Sequence, residues 1–317
     1  MNSRRQFLKA SAATLAGAAV SSPLFAGLRK KTKKVGIQLF TIPAMIASDF
    51  KGTLTKLANI GYKEIEFFGP YDFSAKETVE GWNKFAPTLG ITKNAFYGYK
   101  PSDVKNILRD LELTTPSVHL DLLTMRNNMG PALEGLSALG TKYVAIPAIQ
   151  NPNDRSDFNK LADEFNGFGE QMAKHGLTFV YHNHGYEHAL KDGKTLMDTL
   201  LTETDAKNVK FELDIFWMSA AGASPVEYLN KYPGRFKLLH LKDAWEPVRF
   251  SGDGGSADQW VSLFGKMADP GTGVLEIPLI IEAAKKSGAE HFYLERDLTP
   301  TPDQTLTNSF AFLKDKV

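Results

Sequence analysis

The chain has 317 residues, 43% of them hydrophobic and 23% charged, the composition of a packed globular protein rather than a disordered or fibrous one. It contains no cysteine, which excludes disulfides, thiolate metal sites and cysteine nucleophiles. The net charge of +1 hides an asymmetry: residues 1–34 carry eight Lys/Arg and no acid, leaving 29 basic and 36 acidic residues for the remainder, a net of −7 that argues against binding of nucleic-acid phosphates.

In chain order, the first element is a leader. Ser3-Arg4-Arg5-Gln6-Phe7-Leu8-Lys9 runs into a small-residue apolar stretch over residues 10–28. A basic start followed by a short apolar run reads as a signal peptide rather than a membrane span. The Arg4–Arg5 pair with Phe7 and Leu8 behind it resembles a twin-arginine signal. A signal over 1–30, a mature body over 31–317 and a periplasmic or otherwise exported location are expected. No other segment approaches the roughly 18 apolar residues that span a bilayer.

From residue 34 onward, β-rich runs alternate with helical patterns. The strands are predicted at 35–41, 62–68, 115–122, 142–149, 177–184, 209–217, 236–243 and 291–297. Helices are predicted at 51–59, before Gly61; at 102–113; at 157–175, stopped by Gly176; and at 277–287, stopped by Gly288. Such alternation implies a parallel sheet. Eight units in about 280 residues predict an α/β fold of one domain, the (β/α)8 TIM barrel. A doubly wound sheet is the alternative, but no glycine-rich dinucleotide fingerprint follows the first strand. Residues 74–101 and 245–268 exceed a minimal unit. The second stretch follows the seventh strand and is expected to be a lid or substrate loop.

Polar residues collect where these strands end, the place where barrels carry their chemistry. Strand three carries Ser117, His119 and Asp121. Strand five ends in Tyr181-His182-Asn183-His184-Gly185-Tyr186-Glu187-His188. Strand six contains Glu212-Leu213-Asp214, strand seven Leu239-His240-Leu241-Lys242-Asp243, and strand eight Tyr293-Leu294-Glu295-Arg296-Asp297. Side chains two apart on a strand share a face. His182 and His184, Glu212 and Asp214, His240 and Lys242, and Glu295 and Asp297 therefore point in common directions. Imidazoles and carboxylates brought to one mouth are costly to desolvate unless something neutralises them. One divalent cation would do so. Mixed His/Asp/Glu ligands suit Mn, Co, Zn or Fe, and Mg less well.

Together these residues resemble the xylose-isomerase-like TIM-barrel superfamily, which includes sugar isomerases, ketose epimerases, inosose dehydratases and endonuclease IV. The resemblance spans roughly residues 34–313. It rests on the Glu212-Leu213-Asp214 strand, His240-Leu241-Lys242-Asp243, Leu294-Glu295-Arg296-Asp297, the glycine-rich turn Gly271-Thr272-Gly273-Val274-Leu275, the pair Ser117 and His119, and Glu66. It implies one divalent metal with Asp214, His240 and Glu295 as ligands. The fourth ligand would be His182, where many relatives carry a glutamate in Glu-Asn-His. Trp217 stands where relatives often have a histidine.

The resemblance implies a metal-dependent sugar isomerase or epimerase acting through an enediolate on a non-phosphorylated carbohydrate. Glu295 or Glu187 would be the general base, and Lys242 would hold developing negative charge. Glu66, His119, His184 and Trp217 would contact the substrate, with Phe40, Phe68 and Trp245 as further stacking surfaces. Replacement of the second glutamate by His182 also admits a 3-keto-glycoside lyase or hydrolase that cleaves by β-elimination. A non-catalytic sugar-binding barrel is the reading from a different class.

Overall fold

Eight short runs rich in β-branched and aromatic residues become the parallel strands β1 (Val35–Gln38), β2 (Glu64–Glu66), β3 (Ser117–His119), β4 (Tyr143–Ile146), β5 (Thr178–His182), β6 (Val209–Asp214), β7 (Phe236–Leu241) and β8 (His291–Leu294). The computed structural model describes residues 34–89, 91 and 95–317, so the signal expected over 1–30 lies outside the described residues. The order in the sheet is β2-β1-β8-β7-β6-β5-β4-β3. Two isolated parallel bridges, Glu64 with Thr114 and Phe67 with Val118, stitch β2 to β3. The result is a nearly closed TIM barrel, with helices between successive strands.

All eight expected strands are found, each shorter than its sequence range at the C-terminal end. The lost residues leave the ladder to build the mouth. Leu39–Thr41 turns as a 3-10 helix, and Ile215–Ala220 is already helical behind β6. The predicted helices also form. Phe50–Ile60 is capped by Asp49, Phe158–Ala173 by Asp157, and Ile277–Ser287 ends on Gly288, whose φ of 91° is natural only for glycine. The helix expected over 102–113 runs instead over Pro101–Asp110. It stops early because Glu112 takes a positive φ and Leu113 turns into the core.

Residues of one parity point into the barrel and those of the other parity pack against the helices. Inside, Tyr143, Ala145, Val180, Leu238 and Tyr293 form their own apolar cluster beneath the polar mouth. Gly36 makes room for it: a Cβ there would meet Tyr293 Cδ1 at 2.4 Å. The outer cluster runs from Val35 to Leu313 along the helix-facing sides of the staves.

Of the two extra segments, residues 74–101 contain the helix Lys76–Phe85. Residues 245–268 contain the helix Ala257–Phe264 and close with Met267–Ala268, which pairs with Asp243–Ala244. Val248, Leu263 and Met267 form a small core of their own with Phe216, Trp217, Ala220 and Ala244. This segment is therefore docked on the helix behind β6. Among the described residues no helix is long and apolar enough to cross a membrane.

Candidate active site

Strand register decides which polar side chains meet. Gln38 of β1 lies beside Glu66 of β2, His182 of β5 beside Glu212 of β6, and Asp214 of β6 beside His240 of β7. Contacts follow from those pairings. Gln38 Nε2 donates to Glu66 Oε2 at 2.9 Å, and His182 Nδ1 lies 3.0 Å from Glu212 Oε2. His119 reaches across from β3, its Nε2 2.8 Å from Glu212 Oε2 and 3.3 Å from Glu66 Oε2. His240 is the hub: Nδ1 meets Glu295 Oε2 and Nε2 meets Glu66 Oε2, both at 2.6 Å.

Lys242, just past β7, inserts its ammonium among three carboxylates. Its Nζ is 3.0 Å from Asp214 Oδ2, 2.9 Å from Glu295 Oε2 and 2.8 Å from Asp297 Oδ2, and it lies 5.1 Å from the centre of the Trp217 ring. The loops behind the strands fix these groups. Asp214 Oδ1 caps the next helix by accepting from the Trp217 amide at 2.9 Å. Asn183 Nδ2 donates to the Asp214 carbonyl, and the Asp214 amide donates to Asn183 Oδ1. Asp243 is a loop clasp. It accepts from the amides of Ala244, Gly271, Gly273 and Leu275 at 2.8–3.0 Å, folding the glycine-rich turn behind β7.

The charges in this cluster divide by position. Burial opposes charge on His240, but Glu212, Glu295 and Glu66 outweigh it and lift the imidazole well above its ordinary pKa. His119 is raised in the same way against burial by Glu66 and Glu212. Burial pushes His182 down to about 4. Burial, His182 and Lys242 hold His184 well below the usual range. Burial opposes ionisation of Glu295, yet Lys242 and His240 keep it well below the usual carboxylate range. Burial, with Glu295 and Asp214 nearby, raises Asp297 despite Lys242.

Of the residues expected from sequence, Glu66, His119, His182, Asp214, His240, Lys242 and Glu295 converge here. His184 and Trp217 flank the cluster as a stacked pair 5.8 Å apart, with Trp260 of the 245–268 segment 4.7 Å from His184. Phe40 and Phe68 pack edge to face, and Trp245 is half exposed beneath Arg296. Glu187 lies elsewhere. Its buried carboxylate accepts from Tyr181 Oη at 2.6 Å and from the amides of His184 and Gly185. It holds the β5 loop shut, and its oxygens are already occupied.

The expected quartet of ligands divides. Asp214, His240 and Glu295 offer atoms within 4.8 Å of one another, whereas His182 falls in a second such set with His119, Glu212 and His240. His182 still faces the first set, its Nε2 3.9 Å from Asp214 Oδ2. Within the first set the spacings are 4.0 Å from Asp214 Oδ2 to His240 Nδ1 and 2.6 Å from there to Glu295 Oε2. Donors sharing one metal at about 2.0–2.2 Å sit roughly 3–3.5 Å apart, within that range. Asp214 Oδ2 is buried without a well-aligned hydrogen bond, as are Glu66 Oε1 and Glu212 Oε1. The donor set fits a divalent cation.

Sequence reasoning left Gln38, Glu212 and Asp297 out of the site. For Glu212 and Asp297 the signal was present, since each lies two residues from an expected ligand and on the same face.

A sequence model of the xylose isomerase-like TIM barrel matches residues 54–316. The chain belongs to the xylose isomerase-like TIM barrel family. Residues 1–21 match the twin-arginine translocation signal sequence, so this family member carries an export signal that points to the periplasm. An inosose dehydratase of Clostridium botulinum is 33% identical over 205 residues, covering 51% of this chain and 68% of that protein. Two other inosose dehydratases, from Geobacillus thermodenitrificans and Lacticaseibacillus casei, are 26% identical, and the chain spans about half of their length (51% and 56%). Among solved structures, a sugar phosphate isomerase/epimerase from Parabacteroides distasonis superposes with a TM-score of 0.67 at 25% identity, covering 89% of this chain and 94% of that one. The carbohydrate-acting members of the family thus include both lyases and isomerases.

Proposed function

We propose that this exported barrel is a divalent-metal-assisted lyase that eliminates water or an alkoxide β to the carbonyl of a non-phosphorylated keto-sugar or keto-cyclitol. The mature chain would begin near residue 31. Asp214, His240 and Glu295 would hold the cation, with His182 as the neighbouring fourth donor. A cation bound there supplies Lewis acidity, drawing electrons from a substrate carbonyl and acidifying the adjacent C–H.

One observation carries the choice of elimination. A two-base epimerase needs a carboxylate on each side of the substrate, and β5 offers none, since His182 ends the strand and Glu187 is tied to Tyr181 and to two amides. The remaining proton-handling groups are unlike one another, as elimination requires. Accessibility selects them. Glu66, Asp214 and His240 are wholly buried, whereas His119 keeps 7% and Glu295 4% of its surface; Asp297 keeps 6%, but both its oxygens are taken by Lys242. Glu295, held ionised by Lys242 and His240, takes the proton α to the carbonyl. The C–H electrons form the new double bond and the β C–O bond breaks. His119, whose pKa Glu66 and Glu212 raise against burial, is placed to give a proton to the departing oxygen. Lys242 steadies the negative charge around Glu295, and His184, the partly exposed ring stacked on the buried Trp217, is the wall for the apolar face of the ring.

The test is to incubate the protein with non-phosphorylated inososes and 3-keto-glycosides on one hand, and with free ketoses on the other. Loss of water or release of the aglycone, with a conjugated carbonyl product, is expected from the first group. Interconversion of ketoses without loss of any group would make the protein an isomerase, and binding without turnover a lectin-like barrel.

A further inference from the structure

Three carboxylates and one ammonium define the side of the cluster nearest β8. Lys242 Nζ approaches Asp214 Oδ2 and Glu295 Oε2 at 3.0 and 2.9 Å, the same oxygens that face His240 Nδ1. Asp214 has no other oxygen to give, because Oδ1 is committed to the Trp217 amide. Asp297 takes the same ammonium with both oxygens, at 3.1 and 2.8 Å. Lys242 is 2% exposed and backed by the Trp217 ring, so water does little to screen its charge.

We infer that Lys242 is a resident counter-cation that competes with the metal for Asp214 and Glu295, with Asp297 as the carboxylate to which it retreats when the metal enters. This rests on the reading of Asp214, His240 and Glu295 as metal ligands. Two cations cannot share Asp214 Oδ2 and Glu295 Oε2 at contact distance without strong repulsion. The ammonium on its four-carbon stem can pivot, and Asp297, which forms no ion pair with His240, already holds it with both oxygens. The consequence is specific to this lysine. It draws the acid cluster together and lowers the affinity for metal, so the bound cation is exchangeable. Among the described residues no lysine forms an ion pair with His119, His182 or Glu212, so a cation held by those three would meet Lys242 only through the shared His240.

The experiment is a competition titration of chelator-stripped protein with Mn²⁺ and with Zn²⁺ against a chromophoric chelator, using wild type, Lys242→Met and Asp297→Asn. Lys242→Met should bind the cation at least about tenfold more tightly than wild type. Asp297→Asn should bind it more weakly, because the lysine loses its retreat. If Lys242→Met is unstable without metal, thermal melting gives the same answer, since the rise in Tm on adding Mn²⁺ should exceed that of wild type. A purely structural lysine would lower metal affinity in both variants. Lys242→Met binding no tighter than wild type, or gaining no more in Tm, overturns the inference. Wild type that binds neither cation overturns the ligand reading itself and the inference with it.

Discussion

Asn183 and Asp214 hold each other by two reciprocal hydrogen bonds, 3.1 Å from the Asn183 amide to the Asp214 carbonyl and 2.9 Å from the Asp214 amide to Asn183 Oδ1. The clamp joins the end of β5 to the end of β6 and fixes the backbone from which the Asp214 carboxylate projects. Asn183→Ala should therefore weaken metal binding and turnover by about 10- to 100-fold, the usual effect of losing a group that orients a ligand. Metal titration with an unchanged circular dichroism spectrum is the check. Affinity equal to wild type would show that Asp214 needs no such support.

Glu187 separates two readings of the β5 loop. As a clasp on Tyr181 Oη and the amides of His184 and Gly185, its removal leaves buried donors without partners. Glu187→Ala should cost about 2–4 kcal/mol of stability. Glu187→Gln keeps one acceptor oxygen and should keep most of the activity at temperatures below its melting transition. A Gln variant with wild-type Tm and no turnover would instead make Glu187 a base.

Asp243 makes a related prediction at the β7 loop. Four amides converge on its carboxylate, and Gly273 passes so close that a Cβ there would meet the Ala244 carbonyl oxygen at 2.2 Å. Asp243→Ala should destabilise the chain by about 3 kcal/mol, and Gly273→Ala should also destabilise it. Urea unfolding measures both. A stable Asp243→Ala variant would mean that the turn folds without its cap.

Stability should fall on the acid side in two windows. Burial lowers His188 to about 4, so the unfolded chain takes up that proton first, and stability present above about 6.5 declines as pH falls towards 4. Asp198 and Glu290 lie at about 2. Burial opposes their ionisation, but Tyr232, Lys231 and Thr195 hold Asp198 ionised, and Lys237, Tyr143 and Lys142 hold Glu290. Both pKa values are depressed on folding, so their contribution is present above about 4 and lost as pH falls towards 2. Urea midpoints from pH 7 to 2.5 should show the second loss flattened in Asp198→Asn and Glu290→Gln. An unaltered slope in both would contradict the assignment.

The fold was legible because its signals are local. Eight apolar runs broken by helical stretches and glycine stops such as Gly288 define the strand–helix alternation, and strand ends carrying polar residues two apart mark the mouth. What sequence cannot carry is register and loop direction. Glu212 and Asp297 share a face with Asp214 and Glu295, but their partners, His119 and His182 for one and Lys242 for the other, come from strands far away in the chain. Glu187 shows the same limit from the other side. A 3-10 turn over Tyr186–His188 sends its carboxylate back onto its own loop, which residue type alone does not reveal.

The position of the cation is the point on which most depends. A crystal of the mature chain soaked in Mn²⁺ and measured for anomalous scattering should show one peak in contact with Asp214 Oδ2, His240 Nδ1 and Glu295 Oε2, with Lys242 drawn towards Asp297. A peak among His119, His182 and Glu212 instead, or no peak at saturating Mn²⁺, would contradict it.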